Sequence, residues 1–581
     1  RPKVYEIIDS KALAHCDYNG KSYKEIISEY NSKQWIGENQ LTTDELNAID
    51  YLVNLFDDAK IIGSLLKVNT GKYLTIRKKL AINLKENTQV DIFTSSFFDF
   101  EFKDLLEILR VAYFMSQKYD VMITNPPYIG ISDLDNKPKD YLTRNYTNSK
   151  SDMFAMFMEA PFVRNNGLRA LVNPDSWMFL KSFEKLRLEL AKNEHFVNMT
   201  HHGMGEFDAV VQTTSFVIRN YPLPEYNGTY FRLVDSKNKE QDFLNKIDGI
   251  GFFANGKKFL QIPGNITAYW VSKSLENVFA NPLLGNLAPV KKGIDTGEND
   301  RFLRYWFEVN FLKIGINCFS SLAFASKFYK WAPHDKGGEF RKYYGNKEWI
   351  VNYENSGEEL KKSKANLRSP TLFFNKAITW GSLSSGNISF RLSDYGAISN
   401  TAGSSLFPKE SDLVYYLGLL NSKVVQKIVD ILSPTLNYSA GPISMIPTLY
   451  KKNISIERMT EELVQLAKAD WDSFETSWDF NKHPLISDGK LSILFDGYQS
   501  ITKSNFSKFK TNEEEINDYF IKLYGLQDEL TKDVDDAYVS ISVANKERDT
   551  KSLISYLIGV LMGRYSLSEE GLIYAGGNFY P

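Results

Sequence analysis

Cysteine is almost missing from this chain: Cys16 and Cys318 are the only two in 581 residues. So distant a pair makes neither a disulfide framework nor a thiolate zinc site, and it fits a reducing compartment. Histidine is scarce as well, with His15, His195, His201, His202, His334 and His483 scattered along the sequence. Neighbouring His201 and His202 on a strand cannot present both rings to one metal, so no structural metal is expected. No run approaches the ~18 apolar residues of a membrane span, and no signal peptide opens the chain. A cytoplasmic protein without membrane contact is the expectation. Charge of one sign is not in excess either: 69 Lys plus Arg face 71 Asp plus Glu. If such a chain binds nucleic acid, its basic residues must be segregated in space.

Glycine is thin where it would matter for a nucleotide. The first 124 residues hold only Gly20, Gly37, Gly63 and Gly71, and none makes a Gly-x-Gly turn after a strand. Gly249-Ile250-Gly251 fits the loose dinucleotide pattern, but it follows Asp248 rather than a long strand. Asn255-Gly256-Lys257-Lys258 then promises a poor helix start, and the pattern is rejected.

What is present is a globular composition, 43% hydrophobic and 24% charged, long enough for several domains. After a short strand at Val4–Ile8, helical periodicity runs through Thr43–Leu55 and Leu105–Tyr119. Then Tyr119–Thr124 forms an apolar β-type run that stops at Asn125-Pro126-Pro127-Tyr128, since two prolines cannot continue a ladder. Helix and strand alternate beyond it: Asp152–Arg164, Leu168–Val172, Ser182–Lys192, Phe196–Met199 and Ser215–Arg219. That alternation predicts an α/β sheet. The Pro/Gly/Asn-rich stretch Tyr221–Gly228 leads out of it. Short strands are expected at Trp349–Tyr353 and Thr371–Asn375, and a helix at Asp412–Ile431.

Asn125-Pro126-Pro127-Tyr128 at a strand end is the informative feature; chance gives it in roughly one chain in three hundred of this length. Methylating an exocyclic amine requires its lone pair to leave the ring system. The Asn125 amide oxygen and the Pro126 carbonyl are two acceptors able to take the amine's N–H groups and hold that geometry. The diproline fixes φ twice, and Tyr128 offers a face for a flipped base. The bland alternative is a turn capping a core strand, with Tyr128 as packing.

The run Asp120–Gly130 resembles the catalytic motif of the γ-type N6-adenine DNA methyltransferases, most closely the PglX-type enzymes of bacteriophage-exclusion systems. Ser149–Ala155 is similar to the helix whose aromatic, here Phe154, touches the methyl donor in that family. Asn173–Phe179 is similar to the next strand end. Gly205-Glu206-Phe207 and Val210–Thr214 resemble the segment whose aromatic packs the other face of the base, a role carried to Phe207. Phe216, close by, reads as strand core. Lys292–Phe302, Lys336–Gly345 and Thr379–Gly386 resemble the family's target-recognition domain, and Asp470–Phe480 a signature near its helical C-terminal part.

The resemblance implies an incomplete Rossmann-like α/β methyltransferase domain, then a mixed α+β recognition domain and a helical region. The expected boundaries are 1–225 catalytic (1–118 a mostly helical insertion, 119–220 the α/β part), 226–284 connector, 285–450 recognition and 451–581 helical. It implies S-adenosylmethionine as methyl donor, double-stranded DNA as substrate and other bacterial phage-defence proteins as partners. With no glycine cradle before Asn125 and no initiator Met, the chain reads as a piece of such an enzyme, cut at its N-terminus and near its C-terminus. Asp9, at a strand end, is carried over as a contact to the donor. Window 287–350 has 11 Lys/Arg, 7 Asp/Glu and 14 aromatics. Lys291, Lys292, Arg301, Arg304, Lys336, Arg341 and Lys342 are the expected phosphate contacts there. Window 511–540 is acidic, nine acids against two lysines. A second reading is a sequence-specific DNA reader without catalysis, a platform for defence partners.

Overall fold

The computed structural model describes residues 23–574 apart from 34, 36, 58, 87–91, 206–210, 246–248, 384–385 and 435–436. The expected strand Val4–Ile8, Asp9 and Phe207 lie outside the described residues. The chain divides into two units, one running to Trp270 and the other starting at Val271.

The first unit opens with helices α1 (Tyr23–Lys33), α2 (Thr43–Phe56), α3 (Tyr73–Glu86) and α4 (Ile92–Met115). Helix α2 starts at a capping box: Thr42 accepts from the Glu45 N–H, and the Glu45 carboxylate accepts from the Thr42 N–H. Ile49, Leu52, Phe56, Leu80, Leu105 and Leu109 form a core with Leu142, Tyr146, Met153 and Met156 from later in the chain. The helical layer is thereby fixed to the segment that follows the Asn-Pro-Pro-Tyr motif.

A six-stranded sheet comes next: β1 (Tyr119–Thr124), β2 (Val163–Pro174), β3 (His195–Gly203), β4 (Thr213–Arg219), β5 (Gly228–Arg232) and β6 (Gly251–Ala254), in the order β1-β2-β4-β3-β5-β6. β1 runs parallel to β2, and β3 parallel to β5; the other pairs are antiparallel. α5 (Met153–Glu159) and α6 (Glu184–Asn193) connect the strands. Phe216 is buried against Trp177 and Phe196, in the strand core as expected.

Segment 226–284, expected to be a connector, supplies β5 and β6 of this sheet instead, and the unit continues to Trp270. Gly249–Gly251 leads into β6. Contrary to expectation, Asn255 then opens a short helix, α7 (Gly256–Gln261), because its side chain accepts from the Lys258 N–H.

The second unit combines small sheets with long helices. β7 (Val290–Lys291), β13 (Ala377–Gly381), β14 (Phe390–Ser393) and β16 (Gly403–Leu406) make one sheet. β9 (Leu303–Tyr305), β10 (Trp331–Asp335), β11 (Trp349–Asn352) and β15 (Ile398–Ser399) make another. β8 (Ile294–Asp295) pairs with β12 (Asn366–Leu367). The expected strand Thr371–Asn375 is a turn: Pro370 opens a single 3₁₀ turn, Phe374 has φ +68°, and the strand begins only at Ala377.

The expected helix Asp412–Ile431 is two, α8 (Glu410–Leu420) and α9 (Lys423–Leu432). The break is anchored: the Asn421 amide accepts from the Phe390 N–H at 3.0 Å and donates to the Phe390 carbonyl at 2.9 Å. α10 (Ile454–Asp472), α11 (Leu491–Tyr524) and α12 (Lys546–Leu561) complete the helical part.

Candidate active site

β1 ends at Thr124, and the next four residues turn away from the sheet at the carboxyl end of its strands, where open α/β sheets place their ligands. Asn125 and Pro127 are exposed, Pro126 is buried and Tyr128 is half-buried. Two contacts hold Tyr128. Its hydroxyl donates to the Val172 carbonyl near the end of β2 at 3.0 Å, and it stands 3.2 Å from the Asn125 amide oxygen. Its ring meets the buried Phe154 edge-on at 6.1 Å between centroids, and Phe154 packs on Phe183 at 5.5 Å. Burial raises the Tyr128 phenol above its ordinary value, so the hydroxyl stays a donor.

Phe154 reaches that position through local bonding. The Ile131 N–H donates to the Ser151 carbonyl, and the Met153 N–H to the Ile129 carbonyl. Asp152 caps α5 by accepting from the Phe154 N–H at 3.2 Å. Asn125, Pro126, Pro127, Tyr128 and Phe154, singled out from sequence, are thus brought together. Val172 and Phe183 join them without having been foreseen. The signal for Phe183 was its place in the Ser182–Lys192 helical run; Val172 acts through its main chain, which no side-chain pattern reveals.

The next strand end is locked by polar groups. Asp175 lies 3.1 Å from His201 Nε2, and His201 Nδ1 lies 3.2 Å from the Tyr269 hydroxyl. Arg187 donates to the carbonyls of Trp177, Leu180, Gly264 and Asn265, and burial pulls its guanidinium down to about 10. His201 therefore serves a hydrogen-bonded turn. Among the described residues no cluster of three or more His, Cys, Asp or Glu could hold a metal. No helix of the described residues is long and apolar enough to cross a membrane.

The seven cations expected on DNA separate into groups. Arg341 and Lys342 are corrected: neither is free to reach a phosphate. Arg341 donates to Asp470 of α10 at 2.9 Å and lies over the Trp471 ring at 5.0 Å. The Lys342 ammonium is buried in an ion pair with Glu513 of α11, whose carboxyl burial pushes up. Both fasten the sheet part of the unit to its helices. Arg304 donates to the Asp300 and Leu303 carbonyls, each at 2.6 Å. Lys336 sits 3.6 Å from the Trp349 ring centroid, and partial burial lowers its ammonium. Arg301 is exposed but 3.6 Å from Glu298. Lys291 is exposed and Lys292 half-buried, each without an ion-pair partner among the described residues.

Residues 26–207 match the family model of the Eco57I restriction-modification methylase. Along the whole chain, 34% of aligned residues are identical to the adenine-specific methyltransferase PglX of Lacticaseibacillus casei (strain Zhang), of which 49% is covered. The adenine-specific methyltransferase BrxX of Escherichia coli O9:H4 (strain HS) is 35% identical over 90% of this chain and 44% of that protein. Among solved structures, the type IIL restriction-modification enzyme MmeI in complex with DNA aligns over 92% of this chain and 75% of its own, with a TM-score of 0.43 at 12% identity. The chain spans about half the length of the curated relatives it matches.

Proposed function

We infer that the chain belongs to the PglX-type adenine-specific methyltransferases, and from that premise we propose that it carries the base-holding half of an N6-adenine transfer on duplex DNA in phage defence. The observation that carries the proposal is the anchored Tyr128: its hydroxyl bond to Val172 and its packing on Phe154 fix the motif at the end of β1. A flipped adenine lying on the Tyr128 ring donates its two amino hydrogens to the Asn125 amide oxygen and the Pro126 carbonyl. Both are acceptors, so the nitrogen is drawn out of conjugation and its lone pair is exposed. Stacking on such a ring contributes about 1–3 kcal/mol per base. Asn125 must first part from the Tyr128 hydroxyl, which keeps Val172 as its acceptor. Phe207 is assigned to the other face of the base, on resemblance alone, and Asp9 stays a carried-over contact to the donor.

S-adenosylmethionine is the methyl donor that family membership implies, and the described residues do not fit it by themselves. Phe154 and Tyr128 offer one wall, but no Gly-x-Gly turn follows a strand before Asn125. β1 has no neighbour on its outer edge among the described residues, and Val121 and Ile123 there are 52% and 80% exposed. We infer that this chain's own sequence does not supply the cradle. Titration calorimetry of this chain with S-adenosylmethionine should give no heat of binding; micromolar binding would overturn that inference. Transfer itself is tested by Asn125→Ala in the full-length enzyme with labelled donor. Loss of transfer with DNA binding intact is expected, and retained transfer sinks the role of Asn125.

The missing cradle favours a second reading, a DNA-binding platform without catalysis. Mapping of adenine methylation in cells carrying the gene separates the two, since a platform leaves no mark.

A further inference from the structure

Two cations that no motif singled out stand together on the β8–β12 ladder. In its register Asn366 faces Asp295 and Leu367 faces Ile294. Continued by one and two residues, it sets Arg368 opposite Gly293 and Lys364 opposite Gly297. Along 364–368 exposure alternates: Lys364, Asn366 and Arg368 are exposed, while Ala365 and Leu367 pack on the core that holds Ile294 and Phe302. Lys364 and Arg368 therefore share one solvent face, four residues or about 13 Å apart.

The residues facing both are glycines, so no side chain rises across the ladder to pair with them; Gly293 is buried beneath the Ser399 main chain, while Gly297 is exposed. Neither glycine tolerates a side chain. A Cβ on Gly293 would fall 1.8 Å from the Ser399 carbonyl oxygen, and Gly297 has φ +65° with Lys364 packed against it. Asp295, the one acid on this face of the ladder, turns its carboxylate to the Gly297 N–H at 3.3 Å. Lys291 and Lys292 extend the strip at the Arg368 end. None of the four cations has an ion-pair partner among the described residues. The surrounding sequence adds no opposing charge: residues 360–393 contain six Lys/Arg and no Asp or Glu.

We propose that this cationic strip is a phosphate-binding site, on which Lys364 and Arg368, with Lys291 and Lys292, hold the sugar-phosphate backbone of duplex DNA. The proposal rests on the DNA-directed reading above and names where the second unit grips. At the Lys364 end the exposed Gly297 lets a phosphodiester lie close, and unpaired cations at both ends neutralise it while releasing condensed counterions. Contacts of this kind position a duplex without reading its sequence.

Fluorescence anisotropy of this chain with a labelled duplex, titrated from low to moderate salt, tests it. Each phosphate contact contributes about 0.9 to the slope of log K against log salt. The pair Lys364→Gln/Arg368→Gln should lower that slope by about 2, equally on unrelated sequences, and Lys364→Arg/Arg368→Lys should restore it. Lys551→Gln, an exposed cation on α12, is the charge control and should leave the slope unchanged. An unaltered slope in the Lys364→Gln/Arg368→Gln pair, with duplex binding retained, overturns the strip and leaves the DNA reading standing. A slope lowered equally by Lys551→Gln means that only net charge is sensed, which also overturns it. Failure of the unaltered chain to bind any duplex overturns the DNA reading and the strip together.

Discussion

In the first unit the groups proposed for the chemistry stand at the open end of a strand, and few of them are charged. Asn125, Pro126 and Tyr128 offer an amide, a carbonyl and an aromatic ring, held by one main-chain bond and one aromatic contact. In the second unit charged groups are abundant, and many are held in pairs: Lys342 with Glu513, both buried, and the partly buried pairs of Lys347 with Asp394 and Arg341 with Asp470. A neutral site at a strand end can stay exposed at little cost, because its groups are satisfied by water or by substrate. A buried ammonium cannot, and must keep its partner. Charge in the second unit thus serves cohesion first, and only the cations that remain unpaired are left for the proposed DNA contact.

The largest effect follows from that cohesion. Lys342→Ala leaves Glu513 buried and uncompensated, a situation that costs about 3–5 kcal/mol. Chemical denaturation of the second unit should register it, while Lys342→Met/Glu513→Leu should recover most of the loss. If Lys342→Ala leaves stability unchanged but weakens DNA binding, the division between cohesive and binding cations is wrong. In the first unit Asn125→Ala should do the opposite. Removing a preorganised polar group aimed at the reacting centre costs about 10²–10³ in rate, and here the melting temperature should hardly move, since Asn125 is exposed.

These two substitutions also mark how far the sequence could be read. Asn125–Tyr128 was legible because everything it needs is local: an apolar strand, two prolines that end it, and residue types with one chemistry. Phe154 was placed by resemblance, and Asp152 capping α5 shows why it points at Tyr128. Arg341 and Lys342 were misread because their partners, Asp470 and Glu513, lie 129 and 171 residues further on (470 − 341 and 513 − 342). Basic and aromatic residues interleaved with glycine look alike whether they meet phosphate or a helix of the same unit. Lys364 and Arg368 escaped notice for the converse reason: only strand register shows that glycines face them. The connector assigned to 226–284 failed similarly, since the Tyr221–Gly228 break is a turn within the sheet and β5 pairs with β3 across it.

A pH scan sharpens the contrast from the second unit's side. His334 is buried; its Nδ1 lies 2.9 Å from the Ile398 carbonyl, and its Nε2 lies 2.8 Å from the Asn400 amide nitrogen. The neutral ring with hydrogen on Nδ1 satisfies both. Burial opposes a charged ring and the Lys336 ammonium repels it, so His334 is held down to about 4; a proton on Nε2 would also face another donor. Its ordinary value of 6.5 applies once the chain unfolds. The unfolded state therefore takes the proton first, and stability present above about pH 6.5 is lost as pH falls toward 4, by up to about 3 kcal/mol. Asp335, raised by burial, works the other way in this window. Histidine-selective NMR on Asn400→Asp isolates the effect: an acceptor facing Nε2 should move the His334 titration upward. A resonance that titrates near 6.5 without the substitution contradicts the assignment.

The smallest effect tests how the first unit's neutral site is built. Tyr128→Phe removes the hydroxyl that binds Val172 and touches Asn125, but it keeps the ring against Phe154. A lost neutral hydrogen bond is worth about 0.5–1.5 kcal/mol, which in rate is about a 2- to 10-fold fall in transfer by the full-length enzyme. Tyr128→Ala should cost more, because the stacking face goes as well. Freed from the hydroxyl, the Asn125 oxygen in Tyr128→Phe is no longer shared with a competing donor, so part of the loss should be offset at saturating DNA and appear chiefly in KM. If Tyr128→Phe equals Tyr128→Ala, the ring contributes nothing and the hydroxyl is the working group. The site would then depend on a fixed polar anchor, as the second unit does, and the distinction between an open neutral end and a cohesive charged interior would not extend to Tyr128.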